Sequence, residues 1–262
     1  MIVQIDRDDD PRLESFRHVG DPEWLKQAGL FVGEGRLVVE RLIGDGRYEI
    51  ESILVTPAAF RALETRLTIA SAVFVADQRL VNGVTGFNFH RGCLAIVKRP
   101  PADLSLSVFS SARRLIALEG VGNPDNIGGI FRSVLALGAD GVILDPAAGD
   151  PLYRKAVRTS MGASLRVPFV RASPWPDCLE LLRRQGFTIG ALTPRGASTI
   201  DDFAERLPSN ARVVLVAGAE GSGLSDAVES MSDVTVRIPI DPRSDSLNVV
   251  VAISIALHRI AC

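Results

Sequence analysis

The sequence predicts an α/β protein built on a mostly parallel sheet. Helical and strand-like segments alternate along the 262 residues, and several strands are continuous apolar runs rich in valine and isoleucine, as expected of strands covered on both faces. Three unusual turns directly follow such strands. Because ligands bind beyond the carboxyl ends of the strands in open α/β sheets, these turns are where we expect a functional site.

The first third of the chain predicts a small α/β unit. Asp21-Pro22 followed by Gly29 supplies an N-cap, a first-turn proline and a closing glycine in the order of a short helix. Hydrophobic periodicity then predicts helices at 35–43 and 57–67, and strands at 48–55, 71–75 and 93–97.

A domain boundary is predicted at the segment that begins Lys98-Arg99-Pro100-Pro101. Consecutive prolines lack N–H donors and restrict the residue before them, so a sheet ladder cannot continue here. We therefore expect residues 1–103 to form one domain and 104–262 another. The second domain carries predicted strands separated by helices, at 114–118, 141–144, 188–192, 213–217 and 234–238.

Composition excludes several classes of protein. A hydrophobic content of 47% excludes a disordered or fibrous chain. The three cysteines and three histidines are scattered, so neither a disulfide framework nor a metal site is expected. The apolar run at 247–257 is interrupted and too short to cross a bilayer, and the N-terminus alternates apolar and charged residues. We expect no membrane span and a cytoplasmic location.

Charge is distributed unevenly along the chain. A net charge of −2 argues against coating nucleic acid by bulk electrostatics. Residues 151–176, however, contain five cations and no acidic residue, which suits a phosphate-binding patch. A solvated basic loop fits this composition equally well. The cations are Arg154, Lys155, Arg158, Arg166 and Arg171.

The first glycine-rich turn leads into a helix that ends at Gly138. Asp125 or Asn126 is expected to cap the start of this helix. Gly128 and Gly129 precede Arg132 by four and three residues, and helical side chains lean toward the N-terminus. The glycines therefore leave a bare surface for an anionic group beside the guanidinium, or they permit close helix packing with Arg132 at the surface.

The second turn, 218–225, has three glycines and a single charged side chain, Glu220. That carboxylate either holds the loop by accepting backbone N–H groups or contacts a substrate or partner residues. The third turn leads into an almost wholly apolar helix that extends to residue 260 and must be buried in the fold or at a subunit interface. Ser246 is the expected cap, and Asn248 needs a hydrogen-bond partner from ligand or loop.

Taken in order, the three turns resemble the signature motifs of the SpoU/TrmH-type ribose methyltransferases of the SPOUT superfamily. The matching residues are Asn123-Pro124-x-Asn126-x-Gly128 with Arg132, then Gly218-x-Glu220-x-x-Gly223-Leu224, then Ile238-Pro239 with Ser246-Leu247-Asn248-Val249. Arg158-x-Ser160-x-Gly162-Ala163 also resembles the segment that follows the first motif. Residues 31–42 weakly resemble the start of a ribosomal-protein-like domain that recruits RNA.

The resemblance implies a C-terminal trefoil knot, a homodimer formed through helices of the C-terminal domain, and S-adenosylmethionine as cofactor. It implies methylation of a ribose 2′-hydroxyl in structured RNA, and the separate N-terminal domain favours ribosomal RNA over transfer RNA. The implied cofactor-binding residues are Ala217, Gly218, Glu220, Gly223, Ile238, Ile240 and Leu247. The implied catalytic residues are Arg132, which would activate the hydroxyl, and Asn126, Glu220, Ser246 and Asn248. The implied RNA contacts are Arg154, Lys155, Arg158 and Ser160.

Pro242, Ile240 and Val250 depart from the family pattern, which usually has glycine, methionine and serine at these positions. A dinucleotide oxidoreductase is excluded, because the third glycine of its fingerprint would fall at Asp125. A non-catalytic RNA-binding protein with a degenerate methyltransferase domain is the remaining alternative, and the presence of Arg132 and Asn126 argues against it. Near the end of the first domain, Phe87, Phe89 and Arg91 either stack on bases or pack in a hairpin.

Overall fold

The computed structural model describes residues 1–67, 72–100 and 105–261. The chain divides into two compact units, Met1–Pro101 with Leu152–Leu165, and Ala102–Pro151 with Arg166–Cys262. The boundary expected at residue 103 falls on 101–104, outside the described residues. The segment Leu152–Leu165, which that boundary would assign to the second domain, groups with the first unit.

Within the described part of the first unit, five strands form a mixed sheet in the order β1-β4-β3-β5-β2. The strands are β1 (Ile2–Gln4), β2 (Leu30–Glu34), β3 (Ile50–Val55), β4 (Val73–Val75) and β5 (Cys93–Lys98). β4 is parallel to both β1 and β3, whereas β5 is antiparallel to β3 and β2. The strand predicted at 71–75 begins outside the described residues, and β1 and β2 were not predicted.

Of the helices described between these strands, three were predicted from the sequence, and those at 14–17 and 78–85 were not. The helices are α1 (Glu14–Arg17), α2 (Pro22–Gln27), α3 (Arg36–Asp45), α4 (Pro57–Leu67) and α5 (Gln78–Thr85). Asp21 caps α2 as predicted, because its carboxylate accepts the backbone N–H groups of Glu23 and Trp24 at 3.1 and 3.0 Å. The helix predicted at 35–43 corresponds to α3, which begins one residue later.

The second unit confirms the parallel sheet that the sequence predicts. Among the described residues, seven strands lie in the order β10-β12-β9-β11-β6-β7-β8, and each neighbouring pair is parallel. The strands are β6 (Arg114–Glu119), β7 (Gly141–Leu144), β8 (Phe169–Arg171), β9 (Phe187–Leu192), β10 (Ser198–Thr199), β11 (Arg212–Gly218) and β12 (Val234–Arg237).

The remaining helices are α6 (Pro124–Ala136), α7 (Arg154–Thr159), α8 (Cys178–Arg184), α9 (Ile200–Arg206), α10 (Asp226–Met231) and α11 (Val249–Ala261). Of these, α7 belongs to the first unit. In the second unit, α11 packs against α6, where the Ser254 hydroxyl donates to the Ser133 hydroxyl at 2.8 Å. No helix in the described ranges is both long and apolar enough to span a bilayer.

Two cysteines lie inside the hydrophobic cores. Cys93 in β5 and Cys178 at the start of α8 are buried free thiols, and burial raises the pKa of each to about 12. A thiol with that pKa stays protonated at neutral pH, and the thiolate is the nucleophilic form. Neither residue is therefore suited to act as a nucleophile.

Candidate active site

The first two glycine-rich turns begin side by side at the carboxyl end of the parallel strands. β11 pairs with β6 so that Ala217 lies opposite Leu118 and Gly218 lies opposite Glu119. Both strands run in the same direction, so the turn after β6 and the turn after β11 leave the sheet at the same end. Residues that are about 100 positions apart in the chain are thereby brought together.

Side chains from all three turns form one polar cluster. Asn248 Nδ2 donates to Glu220 Oε1 at 2.6 Å and to Asn126 Oδ1 at 3.2 Å. Asn126 Nδ2 also donates to Glu220 Oε1, at 3.1 Å. Glu220 thus accepts hydrogen bonds from the side-chain amides of both of the other turns. This Asn126–Glu220–Asn248 cluster joins the three turns into one structure.

Asn248 also caps α11. Its Oδ1 accepts the backbone N–H of Val250 at 2.9 Å, which satisfies one of the free donors at the helix start. The prediction that Ser246 caps this helix is wrong; Ser246 lies exposed two residues earlier. Likewise, the cap of α6 is Asn123, whose Oδ1 accepts the N–H of Asp125 at 2.8 Å, and not Asp125 or Asn126.

The turn after β11 is held tightly against itself. A Cβ atom at Gly218 would lie 2.2 Å from the carbonyl carbon and oxygen of Gly223, so only glycine fits there. Gly223 has a φ of 69°, and its N–H donates to the Ala219 carbonyl at 3.0 Å. Sequence reasoning missed Glu119, which anchors the end of this turn by accepting the N–H and the hydroxyl of Ser225, both at 2.8 Å.

The second and third turns enclose a cavity of about 620 Å³. All seven predicted cofactor-binding residues line it: Ala217, Gly218, Glu220, Gly223, Ile238, Ile240 and Leu247. Ser246 lines it as well. Further lining residues that were not predicted are Leu192 at the end of β9, the loop 193–195 that follows it, Glu229 and Asp245. The loop follows a parallel strand, so the rule that singled out the other turns would have found it.

Pro242 departs from the family pattern but fits the local backbone. The Ser244 N–H donates to the Asp241 carbonyl at 2.9 Å, which closes a four-residue turn with proline in its second position. That position favours proline, because the ring presets the required φ. Pro242 therefore stiffens the approach to the cavity without breaking a hydrogen bond.

Arg132 lies outside the polar cluster. It is exposed on α6, and no described residue forms a hydrogen bond or ion pair with its guanidinium. The surface expected to be bare at Gly129 is covered, because a Cβ atom there would lie 3.0 Å from both Cγ atoms of Val250. Gly129 thus serves close packing of α6 and α11, and the five donors of Arg132 are unpaired within the part of the chain that the structure describes.

The basic patch is more neutral than its sequence indicates. Within the first unit, Arg154 and Arg158 lie 3.6 and 3.5 Å from the carboxylate of Glu34, which is 5% exposed. Ser160 is 1% exposed, and its hydroxyl donates to the Val157 carbonyl at 2.9 Å. A direct contact between Ser160 and RNA does not fit this burial, so we leave Ser160 out of the RNA-contacting set.

Arg171 of the basic patch and the aromatic residues Phe87 and Phe89 also take part in internal contacts. In the second unit, Arg171 donates to backbone carbonyls, including those of Asp145 at 2.6 Å and Ala148 at 2.9 Å. In the first unit, Phe89 is buried, and the guanidinium of Arg154 lies 4.5 Å from the ring centre of Phe87. Both rings are therefore packing residues and not free stacking platforms.

Comparison with known proteins finds similarity along most of the chain. Residues 113–258 match the model of the SpoU rRNA Methylase family. Proteins named uncharacterized tRNA/rRNA methyltransferases in Mycobacterium bovis and Mycobacterium tuberculosis are 37% identical over 256 residues, which cover 96% of this chain and 88% of each relative.

Solved structures show the same fold. An rRNA methyltransferase from Sinorhizobium meliloti, described as AdoMet bound, superposes with a TM-score of 0.81 at 23% identity, covering 99% of this chain and 97% of that one. The SpoU methyltransferase AviRb from Streptomyces viridochromogenes, described as in complex with the cofactor AdoMet, gives 0.79 at 24% identity, covering 96% and 98%.

Proposed function

Because this chain belongs to the SpoU rRNA methylase family, we propose that it transfers the methyl group of S-adenosylmethionine to a ribose 2′-hydroxyl of structured RNA. Ribosomal RNA is favoured over transfer RNA as the substrate. The observation that carries the proposal is the hydrogen-bonded cluster of Asn126, Glu220 and Asn248, which unites the three family motifs. It stands beside a cavity that the second and third motifs line.

The cavity fits S-adenosylmethionine in size and chemistry. Apolar walls from Ile238, Ile240 and Leu247 suit a nucleobase, and the glycine-rich turn brings backbone donors and acceptors close. The carboxylates of Glu229 and Asp245 suit the positive charges of its sulfonium and amino groups. When bound, this cofactor supplies an electrophilic methyl group. In support, two of the similar solved structures are described as bound to AdoMet.

The protein's own residues then have two tasks. A ribose hydroxyl is a poor nucleophile that must be aligned with the methyl group in a site of matching shape, while its proton passes to solvent water. The free guanidinium of Arg132 would orient the RNA phosphate and the hydroxyl, since it presents a planar fork of donors suited to phosphate. The Asn126–Glu220–Asn248 cluster, with Ser246 at the cavity, would shape the site around them.

The proposal includes the remaining features that the family implies. We propose that the C-terminal part of the chain forms a trefoil knot, that residues 1–103 form an RNA-binding domain and 104–262 the methyltransferase domain, and that the enzyme works in the cytoplasm. Arg154, Lys155 and Arg158 remain the proposed RNA contacts. Arg154 and Arg158 are partly exposed, and Glu34 holds their guanidinium groups in place.

The direct test incubates the purified protein with methyl-labelled S-adenosylmethionine and either ribosomal or transfer RNA. Methylated riboses are then mapped by their resistance to alkaline cleavage. Label at a ribose supports the proposal. RNA binding without any label in either RNA would favour the non-catalytic alternative, and label on a base would refute ribose specificity.

A homodimer through the second unit is proposed on the apolar surface of α11. Val251 and Ile255 are 45% and 40% exposed there, and Leu135 is also exposed on the neighbouring helix α6. A helix this apolar requires cover on all sides.

We expect the double variant Val251→Asp, Ile255→Asp to be monomeric, because burying two unpaired carboxylates costs several kcal/mol. Light scattering after size exclusion measures the mass; a Leu181→Asp variant, exposed on α8, is the control. A dimeric double variant would refute this interface.

A further inference from the structure

The first unit contains a second cavity, of about 790 Å³, that the proposed methyl transfer does not use. It lies where β2 ends and α3 begins, and residues from α4, from the segment before β5 and from α7 complete its walls. The lining residues on which the argument rests are Arg36, Leu37, Arg91, Arg158 and Met161.

The charge around this cavity favours an anion. Glu34, which lines it and is almost fully buried, is the shared partner of three guanidinium groups: those of Arg91 at 3.4 Å, Arg158 at 3.5 Å and Arg154 at 3.6 Å. The other carboxylate that lines the cavity, that of Glu40, lies 3.6 Å from Arg66, so these two carboxylates and four guanidinium groups together leave two positive charges in excess. These separations exceed ordinary hydrogen-bond lengths, so the arginines are held in place while donors remain for a ligand.

Arg36 adds an uncommitted cation. It is exposed at the first position of α3, and its guanidinium pairs with none of the described residues. The residue before it, Gly35, gives the helix start no side-chain cap. The 10-residue helix α3 therefore offers unoccupied backbone N–H groups and its positive dipole end at the cavity. Arg91 lies across this start, with its Cδ 3.4 Å from the position of a Cβ at Gly35.

Apolar side chains stand beside these cations. Leu37 and Met161 both line the cavity and are each 39% exposed. Met161 is placed there by a φ of 53°, a conformation uncommon for residues other than glycine, and Arg41 donates to its carbonyl. A simple anion gains nothing from exposed apolar side chains, whereas a flat nucleobase can pack against them.

We propose that this cavity binds one unpaired nucleotide of an RNA, with its phosphate on Arg36, Arg91 and the start of α3, and its base against Leu37 and Met161. The guanidinium groups and the free N–H donors at the helix start suit a phosphate, and the exposed apolar side chains offer the base a surface that excludes water. The inference rests on the proposed function in one respect, that the RNA is the substrate. It assigns a binding site in the first unit and no role in the chemistry.

The test measures binding of a fluorescein-labelled, 12-nucleotide single-stranded RNA of mixed sequence to the full chain by fluorescence anisotropy, without any methyl donor. We expect Arg36→Ala to raise Kd about tenfold, as removal of a charge-assisted hydrogen bond predicts. It should also lower the salt dependence of log Kd by about 0.7 for each phosphate that is no longer neutralised. Leu37→Ala should raise Kd several-fold with the salt dependence unchanged. Thermal melting of each variant checks the fold.

Lys26→Ala is the matched control, because it removes one exposed cation from α2 of the same unit and should leave Kd unchanged. If Arg36→Ala weakens binding no more than Lys26→Ala, or if Leu37→Ala binds as the unmodified protein does, the proposal is overturned. Since no methyl donor is present, this outcome is independent of methyl transfer. If the protein methylates RNA but neither variant shows the expected change in Kd, only the nucleotide site is refuted. If both variants show that change but no methylation is detected, only the proposed function is refuted.

Discussion

Replacing Arg132 with alanine is expected to lower the rate of methyl transfer at least about a hundredfold, the usual contribution of a group that acts on a proton or a developing charge. The guanidinium is exposed on α6 and unpaired among the described residues, so its removal breaks no hydrogen bond or ion pair with them. The effect should therefore fall on kcat and leave the thermal stability and the affinity for S-adenosylmethionine unchanged. Label transfer, melting and calorimetric titration measure the three quantities.

Two further variants separate the chemistry from bulk charge. Arg132→Lys keeps the positive charge but loses the planar fork, and it should recover only part of the activity. Arg184→Ala removes an arginine that is 73% exposed on α8 and should transfer methyl groups at the normal rate. Normal turnover of Arg132→Ala would refute the role assigned to this residue, and an equal loss in Arg184→Ala would show that the assay reports general electrostatics.

Gly218→Ala is expected to weaken binding of S-adenosylmethionine by about ten- to a hundredfold. The added methyl group would overlap the Gly223 carbonyl at 2.2 Å and approach Leu224 N at 2.6 Å, and backbone cannot give way as a flexible side chain can. Overpacking of this kind costs about 1–3 kcal/mol, and each 1.4 kcal/mol is about a tenfold change in Kd. The turn would have to open, and that turn is a wall of the cavity.

Gly44→Ala is the matched control for this substitution. Gly44 lies in α3, and a Cβ atom there meets nothing within 4 Å, so alanine should leave cofactor affinity unchanged and raise stability by up to about 1 kcal/mol. Calorimetric titration gives the affinities. An unchanged Kd in Gly218→Ala would show that the turn after β11 does not contact the cofactor.

Sequence alone reached the parallel sheet because its strands carry their own signal. β6, β7 and β11 are continuous apolar runs, and each was predicted to within one residue at either end. β2 was missed because Gly33 interrupts a five-residue run between two helices, and β8 because three residues are too few to show a period. Short strands take their conformation from neighbouring strands, which a local pattern does not contain.

Among the site residues, too, local signals were predictive and long-range contacts were not. The cavity-lining residues follow from motifs contained in single turns, and the structure places them together. The pairing of Arg154 and Arg158 with Glu34 joins residues about 120 positions apart, and no local pattern shows that partner. The sequence predicted Ser246 instead of Asn248 as the cap of α11, because both side chains are able to cap a helix. The backbone conformation alone decides between them.

The notch at Gly129 that receives Val250 has a consequence for sequence variation. The two positions set the spacing between α6 and α11, and α11 carries Asn248 at one end and the exposed valine and isoleucine along its side. Their volumes must therefore vary in opposite directions, a larger residue at 129 requiring a smaller one at 250. Because position 250 is valine, position 129 must be glycine. Together the two residues determine where α11 places both the polar cluster and the surface of the proposed contact between subunits.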